Sequence, residues 1–164
     1  MNQADLVTLV RTFHREKLTL RERHVAVARL IRDYAFNNTY QYIIAREDVH
    51  LSWLDAALAD LGATADEVSP IDLPPLGRKD SPNPLVEHDA HEADAFVARW
   101  RPRLPEVGNA RLSNLMNVIL GETLEQKRFF DQMLAGEMDL LGRRSNGPGS
   151  PGTGDGVMAV RWIE

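Results

Sequence analysis

The sequence contains no cysteine. This absence excludes disulfide bonds, zinc sites built on thiolates, iron–sulfur clusters and cysteine nucleophiles. It also excludes the cysteine-bound iron module that some electron-transfer proteins carry. Any metal site in this chain must therefore be built from carboxylate and imidazole ligands.

Two further features are missing: an excess of positive charge and a long apolar run. The formal net charge is −5, from 19 basic and 24 acidic residues, and this balance offers no surface for a phosphate backbone. No stretch approaches the roughly 18 consecutive apolar residues of a membrane span. We therefore expect a cytoplasmic protein that binds neither nucleic acid nor a membrane. The length of 164 residues fits a single domain with one core.

The first predicted helix is long. Alternating steps of three and four residues join positions 6, 9, 13, 16, 20, 23, 27, 30 and 34, which are apolar except for Glu16 and Arg23. This pattern is typical of an amphipathic helix. We place this helix at residues 4–36. Thr19 and Glu22 form a capping-box pattern, so a fresh helix could also begin there.

A turn and a long connection flank the second predicted helix. Asn37 and Asn38 favour a turn or cap, and one apolar face then continues through residues 39–62, where a glycine ends the helix. The next segment, residues 63–82, contains four prolines and cannot form a regular helix. We interpret it as a long crossover.

The second half of the chain predicts another pair of helices. Asn83 as cap and Pro84 at the first helical position begin the third helix, which runs toward Leu104. The fourth helix follows Asn109 and ends before Gly136. The predicted fold is therefore an all-α four-helix bundle, in which two antiparallel helical hairpins are joined by a long crossover.

The bundle is expected to occupy residues 1–142. Residues 143–164 are predicted to form a flexible tail, in which a Gly/Pro-rich linker precedes the apolar segment VMAVRWIE. This segment could dock on its own bundle, bind another protein or stay disordered.

Carboxylates on the apolar faces of the helices point to a buried polar site. An inward carboxylate costs free energy unless it is paired, protonated or bound to metal. Glu47 and His50 form a Glu-x-x-His motif, and this spacing puts both side chains on one helix face, about a turn apart. The other three predicted helices each carry an acid on or beside the apolar stripe: Glu16, Glu92 and Glu122.

This pattern resembles the ferritin-like di-iron carboxylate superfamily, close to rubrerythrin-like proteins, over roughly Leu6 to Leu134. The family carries Glu on its first and third helices and Glu-x-x-His on its second and fourth. The string AREDVHLSWLDAALADLG looks like a second helix of the family. The resemblance implies a dinuclear iron or manganese site, with two ions per chain, whose ligands are Glu16, Glu47, His50, Glu92, Glu122 and Glu125.

The fourth helix departs from the family pattern. Glu125 stands where the family has its second histidine, and Gln126 follows it. A carboxylate can bind the same metals, but the site becomes harder and richer in oxygen. Iron, manganese, an incomplete site and the absence of metal are therefore all open.

Three functions follow from these observations. The first is a di-metal oxidoreductase or metal-handling protein, which would need an electron-donor protein or a reducing substrate. The alternative is a non-catalytic helical bundle with a decayed site that acts as a partner-binding or structural protein. A third is a bundle holding one metal through His50, His88 and His91. The resemblance also implies a homo-oligomer, with a dimer as the expected form.

Overall fold

A computed structural model describes residues 2–137 together with Leu140 and Leu141. The predicted linker and apolar segment, residues 143–164, lie outside the described residues. The described part is all-helical and contains no strand, which confirms the prediction of an all-α chain with four main helices. None of its helices is long and apolar enough to cross a membrane. The elements are α1 (Gln3–Ala28), α2 (Tyr34–Asp60), α3 (Asn83–Trp100), a 3₁₀ helix (Arg101–Glu106) and α4 (Ala110–Leu134).

α1 begins with a capping box and then continues without a break. The side chain of Asn2 accepts a hydrogen bond from the backbone N–H of Asp5, and the Asp5 carboxylate accepts one from Asn2 in return. The helix runs straight through Thr19 and Glu22. Their capping-box pattern therefore does not start a new helix.

The end of the first helix differs from the prediction. α1 ends at Ala28 and not at Phe36, because Asp33 caps a new helix by accepting a hydrogen bond from the Phe36 N–H. Asn37 and Asn38 lie inside α2, so the turn predicted there is wrong. The apolar periodicity hid the break because residues of the short connection also pack into the core.

The remaining helix boundaries agree with the predictions except at the start of α3. Gly62 and Gly136 follow α2 and α4 with φ of +73° and +80°, a conformation that glycine adopts without strain. Asn109 caps α4 by accepting a hydrogen bond from the Leu112 N–H.

At the start of α3, Asn83 is the first residue of the helix and Pro82 occupies the N-cap without a side-chain hydrogen bond, so the predicted cap at Asn83 is wrong. α3 ends as an α-helix at Trp100, and the proline-containing 3₁₀ helix continues it.

The four helices pack as a square. α1 contacts α2 and α3, α4 contacts α3 and α2, and the remaining two pairs lie on the diagonals. All neighbouring helices are antiparallel, so α2 and α3 point the same way and the connection between them must return along the bundle. Arg11 on α1 and Arg32, in the short segment after α1, donate hydrogen bonds to the carbonyls of Thr64 and Leu76. The connection therefore runs lengthwise beside α1.

The bundle interior has two apolar clusters with a polar layer between them. On α2 the apolar clusters include Ile44 on one side and Leu54 on the other, and buried Glu47 and His50 occupy the gap. The same interruption occurs on α1 and α4. We call six of the buried polar residues on these three helices the middle layer: Lys17, His24, Glu47, His50, Thr123 and Gln126.

Candidate functional site

Glu47 is a fully buried carboxylate in the middle layer. Its Oε1 accepts a hydrogen bond from Lys17 Nζ at 2.8 Å, and its Oε2 lies 2.8 Å from His24 Nδ1. Burial by itself would raise the pKa of Glu47, but the interactions with His24 and Lys17 outweigh burial and lower the pKa to about 2. Glu47 is therefore ionised at neutral pH.

Lys17 is the cation that compensates this buried charge. Its ammonium is also fully buried and lies 3.1 Å from Gln126 Oε1 and 3.4 Å from Thr123 Oγ1. Together with Glu47, these oxygens give each of the three ammonium N–H donors an acceptor. The Phe96 ring centroid lies 5.9 Å from Nζ on a further side. The middle of the bundle thus contains a cation that belongs to the chain itself.

Glu122 on α4 lies at the edge of the middle layer with 31% of its side chain exposed. Arg46 Nη2 lies 2.8 Å from both carboxylate oxygens, and His50 Nε2 lies 2.8 Å from Oε2. Partial burial would raise the pKa of Glu122, but hydrogen bonds from Arg46 and His50 lower it. Burial, with the nearby charge of Lys17, lowers the pKa of His50. A neutral His50 therefore donates its Nε2 proton to Glu122.

The other predicted ligands lie elsewhere. Glu16 accepts hydrogen bonds from Arg99 Nε at 2.9 Å and from the Trp100 indole at 2.8 Å, at the surface between α1 and α3. Glu92 is 37% exposed, and one of its carboxylate oxygens lies 3.5 Å from His91 Nδ1.

Glu125 points outward from α4. It is 61% exposed and pairs with Arg128 at 2.9 Å along the same helix. It is therefore separated from the middle layer, although it occupies the position where the family pattern has its second histidine.

Of the six predicted ligands, only His50 and Glu122 are in direct contact. No group of three or more His, Asp or Glu residues in the described part of the chain is placed to hold a metal ion. An ammonium 2.8 Å from Glu47 also competes with a metal for the same oxygen. The side chains as arranged do not fit a pair of metal ions, and metal binding stays a prediction.

The alternative set of three histidines is not brought together either. His50 is fully buried, whereas His88 and His91 are exposed on α3. The polar residue of α3 that points into the bundle is instead Asp89. That carboxylate is fully buried and accepts hydrogen bonds of 2.6 Å from Arg23 Nε and from the Tyr40 hydroxyl. Burial and the Asp89 charge raise the pKa of Tyr40, so its hydroxyl stays protonated as a donor.

The sequence-based choice of Glu16 missed Lys17 by one residue of helix phase. A stripe through Phe13, Leu20 and Val27 accepts either Glu16 and Arg23 or Lys17 and His24 at the positions in between, since both sets alternate steps of three and four. Lysine is rarely buried, so residue type alone favours the first set. The sequence carried one warning of this alternative: the second set fits the apolar stripe as well as the first. The residues of the correct set are Phe13, Lys17, Leu20, His24 and Val27.

Comparisons of this chain with known protein families, with characterised proteins and with solved structures found no match. Membership of the ferritin-like superfamily therefore stays a prediction, and the geometry of the site is what bears on function.

Proposed function

We propose that this chain is a ferritin-like helical bundle that works without a bound metal, as a partner-binding or structural protein. The observation that carries the proposal is the buried ammonium of Lys17, held by Glu47, Thr123 and Gln126. Two antiparallel hairpins joined by a long crossover are also the arrangement that ferritin-like proteins use. The fold and the site are therefore accounted for without a cofactor.

The charges of the predicted ligands support this reading. A dinuclear carboxylate site needs several anionic ligands whose charge the metal ions compensate. Here four of the five predicted carboxylates already have a lysine or arginine partner within 2.9 Å. These pairs are Glu16 with Arg99, Glu47 with Lys17, Glu122 with Arg46, and Glu125 with Arg128. A metal ion would have to displace these cations before it could bind.

A second candidate is a dinuclear iron or manganese protein with oxidoreductase or metal-handling activity and an electron-donor partner. One observation favours it. Among the described residues, His24 Nε2 and His50 Nδ1 are buried ring nitrogens without a hydrogen-bond partner, and both rings lie within a hydrogen bond of a carboxylate. A neutral imidazole nitrogen in such a setting is a common metal ligand. The two candidates differ in the number of ions bound per chain.

The number of metal ions bound per chain distinguishes the two candidate functions. The chain would be purified without chelators, loaded anaerobically with ferrous iron or manganese, and analysed for bound metal beside a variant carrying Glu47→Ala and His50→Ala. We expect no stoichiometric binding by the parent. Two ions per chain, lost in the double variant, would reject the proposal and support the second candidate.

A pair of lysine variants sharpens this experiment. Lys17→Ala removes the internal cation, whereas Lys127→Ala removes a half-buried lysine that pairs with Asp131. If the ammonium is what excludes metal, binding should appear only in Lys17→Ala. Equal metal content in the parent and both variants, at two ions per chain, would show that Lys17 does not exclude metal.

A further inference from the structure

An open, largely apolar groove of about 480 Å³ lies between α2 and α4. It is formed by the last turns of α2 and the first turns of α4, at the end of the bundle remote from Leu140. Val118 on its wall is 49% exposed. Exposed apolar concavities of this kind mark binding sites on soluble proteins. The apolar lining includes Trp53, Ala57, Leu61, Leu112, Leu115 and Val118.

The rim of the groove carries one charge of each sign. Asp60 on α2 and Arg111 on α4 also line it, and their nearest charged atoms are 3.7 Å apart. Their side chains are 68% and 91% exposed. An ion pair this exposed contributes little, so each partner can turn toward an opposite charge on an occupant.

The chain contains a segment whose chemistry matches both the lining and the rim. Residues 157–164, VMAVRWIE, carry five large apolar side chains, one basic residue and one acidic residue. We infer that this segment docks in the α2–α4 groove of its own chain. Its apolar side chains pack on the groove wall, with Arg161 toward Asp60 and Glu164 toward Arg111.

The connecting residues are long enough for this docking. Fifteen residues, 142–156, separate Leu141 from the segment, and they can span up to about 50 Å when extended. The distance to cover is about 30 Å, because α4 rises by that amount between Leu115 and Leu134. A tether of this length presents the segment at an effective concentration on the order of millimolar. Even a weak intrinsic affinity is then sufficient for docking.

This inference names the occupant of the groove and goes beyond the proposed function, since docking within one chain does not depend on whether the bundle binds metal. Because the chain has no cysteine, Ala159→Cys provides a unique site for a nitroxide spin label in the full chain. We expect the oxidised label to remove NMR signals from the Trp53 indole and from the amides of Leu115 and Val118. The amide of Val86, in the apolar cluster at the other end of the bundle, should keep its signal. The reduced label supplies the reference intensities.

Two arginine variants on α2 form a matched pair. Ala56 lines the groove, whereas Ala45 is exposed on the same helix outside it. Ala56→Arg should restore the groove signals in the labelled chain, and Ala45→Arg should leave them lost. Both substitutions add the same charge to the same helix, so a general effect of charge on the tail would move both variants alike and overturn the inference.

Mixed samples separate docking within a chain from docking between chains. An isotope-labelled chain without the nitroxide is combined with a spin-labelled chain without the isotope. Docking within one chain predicts no signal loss in this mixture. Loss there, or unchanged groove signals in the doubly labelled chain, overturns the inference. Metal content is measured separately, so a chain that binds two ions and still shows docking would reject the proposed function alone.

Discussion

Glu47 and Glu122 hold corresponding positions in the two hairpins of this chain, and each touches a histidine and a basic residue. Glu47 is fully buried and contacts Lys17 and His24. Glu122 keeps 31% of its side chain exposed and contacts Arg46 and His50. The two carboxylates have similar partners, but they differ in their access to water.

Access to water decides what each interaction is worth. A buried ion pair gains little over an apolar pair, yet removal of one partner strands the other charge at a large cost. Around Glu122, water can replace a lost partner, so the removal of one partner there lowers the free energy of unfolding much less. The comparison predicts that the Lys17–Glu47 pair controls stability, whereas the Arg46–Glu122 pair does not.

The largest effect is expected for Glu47→Gln. This change keeps the shape of the side chain but leaves the Lys17 ammonium buried without its counter-charge, and it should lower the free energy of unfolding by about 3 to 5 kcal/mol. Urea denaturation at neutral pH measures the loss. The matched control, Glu122→Gln, should cost about 1 kcal/mol or less. Equal losses in the two variants would contradict the comparison.

Acid should destabilise the parent through the same carboxylate. The pKa of Glu47 falls from an ordinary value of 4.5 to about 2 in the folded chain. Its stabilisation is therefore complete above pH 4.5 and disappears as the pH falls toward 2, with a total on the order of 3 kcal/mol. Denaturation curves across this range should diverge from those of Glu47→Gln as the pH rises. Parallel curves for the parent and the variant would show that Glu47 does not titrate in this way.

Replacement of both partners should restore much of the stability that either single change removes. Lys17→Met and Glu47→Leu exchange the buried pair for apolar side chains, so no charge is stranded. We expect the double variant to recover at least about 2 kcal/mol relative to the sum of the single losses. A double-mutant cycle in urea measures this coupling. Strictly additive losses would mean that Lys17 and Glu47 do not compensate each other.

The smallest effect is expected at His50. Its pKa is lowered in the folded chain, so the unfolded chain binds the proton more readily, and the stability should fall as the pH decreases below about 6.5. His50→Gln keeps a donor toward Glu122 but cannot titrate. The difference in unfolding free energy between parent and variant should therefore change between about pH 7 and pH 5. A constant difference across this window would contradict the lowered pKa.

Most of the helix boundaries could be predicted because local chemistry sets them. Asn109 caps a helix, Gly62 and Gly136 adopt positive φ after one, and the prolines of residues 63–82 prevent one. The end of α1 could not be predicted in this way. Its apolar periodicity continues into Ile31, which is buried outside any helix, so the pattern carried no sign of the break.

The polar site was predictable only in part. The sequence by itself determined that Glu47 and His50 share one face of a helix, because their spacing of three leaves no other arrangement. It left two equally good phases for α1, and only the packing of α1 against α2 and α3 selected between them. Lys17 faces Glu47 on α2, and Glu16 faces Trp100 on α3. A one-residue shift in helix phase turns a side chain by about 100°. That rotation decided whether an acid or an ammonium entered the middle of the bundle.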